Sequence, residues 1–125
     1  MYHQKSIIGI VEDDNDLRDA LGDIIASFGY RTELYASACE FMRAAGSTQS
    51  ACLLVDMDLS GMSGLEVGRR LTASGHTLPI VFITSVRETG LREETRQYGG
   101  VAVLQKPFFR NELLDALTQA VTTRP

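Results

Sequence analysis

The chain has 125 residues, 44% hydrophobic and 22% charged, with 16 acids against 12 Lys and Arg for a net charge of −4. A single domain of this length buries roughly two-thirds of the surface its unfolded chain exposes, which excludes a disordered chain and a disulfide-stapled mini-scaffold. The acidic balance argues against direct nucleic-acid binding, and no stretch approaches the roughly 18 apolar residues of a membrane span.

In chain order, Ile7–Val11 is a β-branched run that stops at Glu12, Asp13 and Asp14. Leu17, Leu21, Ile24, Ile25 and Phe28 then recur at helical spacing, with Asp14 or Asn15 as the cap and Gly29 closing the helix. Residues 32–35 form a half-polar edge strand. Ser37 and Glu40 have the spacing of a capping box, opening a helix through Phe41 and Met42 to Gly46. The run 51–55 stops at Asp56, and a loop over 57–62 leads to a second capping box, Ser63 and Glu66. Residues 79–83 predict a strand ending at Thr84, and 86–98 a polar, solvated helix ended by Gly99 and Gly100. A last strand at 101–104 precedes Lys106-Pro107, and Leu113, Leu114, Leu117, Ala120 and Val121 mark a C-terminal helix.

Five strands therefore alternate with five helices in one domain, 1–125. The runs IVFIT and ACLLV are apolar at successive positions, so these strands are buried on both faces. That is the signature of a parallel sheet covered by helices on each side, an α/β fold. Ligands of such sheets bind beyond the carboxyl ends of the strands. There the sequence places Glu12, Asp13, Asp56, Thr84 and Lys106. Carboxylates converging in one cleft need a counter-cation. Hard oxygen donors suit Mg²⁺, and a carboxylate nucleophile with a metal, a lysine and a hydroxyl suits phosphoryl transfer.

The two cysteines, Cys39 and Cys52, are too few for a zinc cluster and are expected to be buried small hydrophobes. The start MYHQKSIIGIVEDD has no apolar h-region, so a cytoplasmic location with reduced thiols is expected.

The segments VEDD (11–14), LLVDMDLSGMSG (53–64), FITS (82–85) and QKPF (105–108) resemble the receiver domain of two-component response regulators along essentially the whole chain. The resemblance implies a (βα)5 doubly wound, flavodoxin-like sandwich with strand order 2-1-3-4-5. It makes Asp56 the phosphoacceptor for a sensor histidine kinase. Glu12 and Asp13 match the acidic pair that places Mg²⁺ (or Mn²⁺), with Asp13 preferred as the direct ligand. Asp56 and the backbone carbonyl of Asp58 complete the metal set. Thr84 would bind the phosphoryl group, Lys106 would form an ion pair with it, and Lys106-Pro107 matches a cis bond. Such a domain is a switch rather than an enzyme, catalysing only its own phosphoryl transfer and dephosphorylation. The implied output face is the fourth helix, fifth strand and fifth helix, through which a homodimer can form. YASACEFM and KPFFRNELLDAL look like receivers joined to LuxR-type helix-turn-helix domains, which implies a DNA-binding output domain outside this chain.

Two positions depart from the family. Ser60 stands where a proline is common, which predicts a looser loop, and Val103 replaces the aromatic residue that swings inward on activation. Val103 leaves room for an alternative, a pseudo-receiver that binds a partner without being phosphorylated. A second alternative starts from Asp56-Met57-Asp58-Leu59-Ser60, which looks somewhat like the signature of haloacid-dehalogenase-type phosphatases. That signature normally sits on the first strand, and no acidic motif follows Lys106 outside a helix.

Overall fold

A computed structural model describes residues 6–85 and 90–123. The strands are β1 (Ile7–Val11), β2 (Arg31–Tyr35), β3 (Cys52–Asp56), β4 (Ile80–Thr84) and β5 (Gly100–Gln105). The helices are α1 (Asn15–Ser27), α2 (Ala38–Ala44), α3 (Gly64–Ala73), α4 (Gly90–Arg96) and α5 (Arg110–Thr123), with a 3-10 turn at Ala45–Ser47 after α2. All pairings are parallel and the order is β2-β1-β3-β4-β5, as the resemblance implied.

The apolar runs have the expected cause. β1, β3 and β4 are buried at every position, whereas β2 and β5 are edges with partly exposed residues. Successive side chains of the central strands feed two separate cores. Ile8, Ile10, Cys52, Leu54, Val81 and Ile83 meet Leu21 and Ile25 of α1 and Leu113 and Leu117 of α5. Val11, Leu53, Val55, Ile80 and Phe82 meet Phe41 of α2 and Val67 and Leu71 of α3. Each fully buried aliphatic or aromatic side chain contributes about 1.5–3 kcal/mol, so the central strands are fixed by burial on both sides.

The helix starts follow the sequence signals. Asp14 caps α1 by accepting from Leu17 N–H, and Gly29, at φ 100°, follows its end. Ser37 caps α2, and Glu40 reaches back one residue past the cap to the Ala36 N–H at 2.8 Å, a variant of the box. At α3 Ser63 accepts from Glu66 N–H, but the Glu66 carboxylate turns instead to Arg69 and Arg70. Lys106-Pro107 is cis.

Several boundaries differ from expectation. Arg31 joins β2 because its N–H bonds to the Ser6 carbonyl. Gly100, expected to end the fourth helix, instead starts β5, with the Thr95 carbonyl packed where a side chain would stand. The start of that predicted helix, 86–89, lies outside the described residues. Cys39 is exposed rather than buried, because Ala38 and Phe41 take the inward positions of α2; Cys52 is buried, and both thiols are free. Among the described residues no helix is long and apolar enough to cross a membrane.

Candidate functional site

The carboxyl ends of β1, β3, β4 and β5 bring the predicted residues to one edge. Asp56, the last residue of β3, is 3% exposed, and its two oxygens have different partners. Oδ2 accepts from Lys106 Nζ at 2.7 Å, and Oδ1 accepts from the Asp58 N–H at 2.8 Å. The backbone holds these groups in place. Lys106 N–H donates to the Thr84 carbonyl at 2.8 Å, and Met57 N–H to the Ile83 carbonyl at 2.8 Å. Thr84, the last residue of β4, is itself 2% exposed.

Glu12 lies beside Asp56 and is as deeply buried. Its Oε2 accepts from the Asp14 N–H at 3.1 Å, while Oε1 is buried without a hydrogen-bond donor. Two carboxylates cannot bond to each other unless one keeps a proton. Burial, and then that shared proton with Asp56, push the Glu12 carboxyl up to about 8. Burial also works to raise Asp56. The proton on Glu12, the Lys106 ammonium and the Asp58 N–H outweigh it and leave Asp56 below the ordinary carboxyl value. Partial burial disfavours the charge on Lys106, yet Asp56 beside it lifts the ammonium above its usual value. The floor of the cleft thus holds the Asp56–Lys106 ion pair beside a Glu12 carboxyl whose proton is held more tightly than usual.

Three further residues shape the rim, Arg18, Ser85 and Ser60, of which only Arg18 lies outside the positions that the family resemblance draws attention to. Arg18, on the first turn of α1, donates to the Glu12 carbonyl at 3.0 Å and to Asn15 Oδ1 at 2.7 Å, clamping the acidic turn. Its only sequence signal is a cation one helical turn after Asp14. Ser85 Oγ donates to Asp58 Oδ2 at 3.2 Å across the mouth. Ser60, expected to loosen its loop, ties it down. Its N–H and Oγ donate to the same oxygen, Asp13 Oδ2, at 2.9 and 2.7 Å. These donors, the hydroxyl first, hold the Asp13 carboxyl below its usual value.

Among the described residues no three His, Cys, Asp or Glu side chains are gathered as metal ligands. The oxygen set nevertheless fits a hard divalent cation. Glu12 Oε1 is a buried acceptor without a donor, Asp56 is a carboxylate on the floor, and Asp13 stands half-buried at the rim. Mg²⁺ characteristically takes only one or two carboxylates and keeps several waters.

Gly64, at the start of α3, permits this arrangement. A side chain there would stand 2.9 Å from the Asp56 carbonyl carbon and the Met57 Cα, and closer still to the Asp56 carbonyl oxygen.

Comparison with known proteins places this geometry in a family. The sequence profile of the response regulator receiver domain matches residues 8–118. The response regulator protein TmoT of Ectopseudomonas mendocina is 34% identical over all 125 residues, which span 57% of its own length. The chain spans about half the length of the curated relatives it matches. Full-length FixJ from B. japonicum superposes with a TM-score of 0.87 at 28% identity, covering 96% of this chain and 59% of FixJ. The receiver domain of a Pseudomonas aeruginosa PAO1 sensor histidine kinase, solved with a magnesium ion in its active-site cleft, gives 0.82 at 29% identity, covering 94% and 98%. A profile match over nearly the whole chain, on a sheet of the same order, settles the lineage: the chain belongs to the response regulator receiver domains, homologous to transcriptional regulators of two-component systems.

Proposed function

We propose that Asp56 accepts a phosphoryl group from the phosphohistidine of a sensor histidine kinase, and that this chain is one receiver domain, 1–125, of a cytoplasmic response regulator. The observation that carries the reading is the buried Asp56 carboxylate with Lys106 Nζ 2.7 Å from one oxygen. A deprotonated, desolvated carboxylate beside a fixed cation is a poised nucleophile. One Asp56 oxygen attacks phosphorus in line, the P–N bond to the donor histidine breaks, and an acyl phosphate forms.

Lys106 then moves its charge from the free carboxylate to a phosphoryl oxygen, so the ion pair is exchanged rather than lost. The Thr84 hydroxyl donates to another phosphoryl oxygen. Asp13, Asp56 and the Asp58 carbonyl would hold Mg²⁺ (or Mn²⁺), with Glu12 beside them. The ion supplies neutralisation of charge on the transferring group. Movement at Thr84 would pass to α4, β5 and α5, the face suited to a homodimer. Val103 on β5 is half-buried against the core of α2 and α3, so the signal would run through backbone shifts rather than an aromatic rotamer. The relatives' greater length supports a DNA-binding output domain beyond the receiver.

The test is intact mass after incubation with Mg²⁺ and acetyl phosphate, alongside beryllofluoride binding. One added phosphoryl group on wild type, absent from Asp56→Asn and without metal, is expected. Absence of both phosphorylation and beryllofluoride binding would overturn the reading.

A further inference from the structure

Resting on the metal-dependent reading above, we propose that Ser60 is the positioning residue for Asp13, holding that carboxylate over the cleft as a metal ligand and so setting the affinity of the site for divalent cations.

The loop between β3 and α3 is built to do this. Met62 N–H donates to the Ser60 carbonyl at 3.0 Å, closing a three-residue turn around Gly61, whose φ of 83° is in the region open to glycine. The turn folds the chain back, so that both donors of Ser60 reach one oxygen of a residue 47 positions earlier. Both fall on Asp13 Oδ2. The clasp leaves Oδ1 unengaged by Ser60.

The surrounding charges make such a clasp necessary. Asp56 and Asp58 present carboxylates at the same edge, and like charge drives an unanchored Asp13 outward into solvent. Among the described residues, the cations at the cleft are committed elsewhere, Lys106 to Asp56 and Arg18 to the Glu12 carbonyl and Asn15. Ser60 is neutral and supplies two donors without adding a charge that would repel a cation. Carboxylates that ligate metals are themselves held by outer hydrogen bonds, and losing such a partner typically weakens metal binding about 10- to 100-fold. Serine or threonine keeps both donors here, alanine keeps one, and proline keeps neither.

The experiment measures Mn²⁺ binding by the loss of its free-ion electron paramagnetic resonance signal, with Mg²⁺ as competitor and no phosphodonor present. Ser60→Ala is expected to weaken binding by about 10-fold. Ser60→Thr should stay within about twofold of wild type, and Ser60→Pro should lose more than Ser60→Ala. In an Asp13→Ala background, Ser60→Ala should have no further effect, which separates positioning of Asp13 from a general loosening of the loop. Unchanged or tighter binding by Ser60→Ala, or an equal loss in Ser60→Thr, would overturn the inference while the metal-dependent receiver stands. Absence of binding in wild type would overturn both.

Discussion

The carboxyls of Glu12 and Asp56 lie side by side on the floor of the cleft, and the Lys106 ammonium bonds to Asp56. Glu12 Oε1 has no donor of its own and carries the proton shared with Asp56. Glu12→Gln puts an N–H there that donates to Asp56 at any pH, while the amide oxygen keeps the Asp14 N–H. The folded chain holds that proton more tightly than the unfolded one, so without metal wild-type stability should fall as pH rises from about 4.5 through about 8, and Glu12→Gln should lose that part of the fall. Thermal unfolding across this window checks the difference, and parallel pH profiles would mean that Glu12 holds no proton.

Gly64 and Gly46 form a contrast that glycine content alone does not reveal. A Cβ at Gly64 meets the Asp56 and Met57 backbone, which cannot yield without moving the end of β3, whereas one at Gly46 has nothing within 4 Å. Gly64→Ala should destabilise by about 1–3 kcal/mol, the range for overpacking. Gly46→Ala should be neutral or stabilising by up to roughly 1 kcal/mol through the unfolded chain. Urea denaturation of the two variants checks the difference.

The thiols should separate by reactivity. Burial pushes the Cys52 thiol up to about 12, and it sits inside the α1/α5 core, while Cys39 is exposed on α2. Ellman's reagent on the native domain is expected to titrate one thiol quickly, and the second only after unfolding. Because the thiolate is the reactive form, Cys52 should stay protected even when the pH is raised to roughly 9. Loss of the fast phase in Cys39→Ser checks the assignment.

Ser37→Ala should cost about 1 kcal/mol, since Ser37 Oγ accepts from the Glu40 N–H at 3.0 Å at the start of α2. The Glu40 carboxylate closes the same turn from the other side. Ser37→Ala and Glu40→Ala should therefore be non-additive in a double-mutant cycle followed by urea denaturation. At α3 the Glu66 carboxylate is drawn to two arginines, so Ser63→Ala and Glu66→Ala should add.

Most of this architecture is legible in the sequence where burial dictates residue type. β1 is found at the predicted Ile7–Val11, and the other strand ends shift by a residue or two, because two-sided burial leaves an unbroken apolar run. Glu12, Asp13, Asp56 and Thr84 are found at strand ends for the same reason, since each closes or follows such a run, while Lys106 follows the edge strand β5 and Asp58 lies in the loop after β3. Contacts between distant short polar residues are not legible. Ser60 and Asp13 are separated by 47 positions, and nothing local marks their bond. Ser60 read as a lost proline suggests looseness, whereas its hydroxyl and N–H are anchors. Cys39 misleads in another way. Its residue type favours the interior, but the helical phase set by Ala38 and Phe41 turns it outward.

The two cores on opposite faces of the sheet give the chain an uneven tolerance to insertion and deletion. Phe82 and Ile83 are neighbours in sequence but belong to different cores, and Ile83 pairs with Asp56 while Thr84 pairs with Gln105. A deletion of one residue within β4 would exchange the faces of the side chains on one side of it, and if those beyond it shift, withdraw Thr84 from the cleft. The same deletion in the turn at Gly75 and His76 would leave the ladder untouched. Length variants arising by chance in this lineage should therefore survive at the end of the sheet remote from Asp56, and vanish from the strands that carry the site.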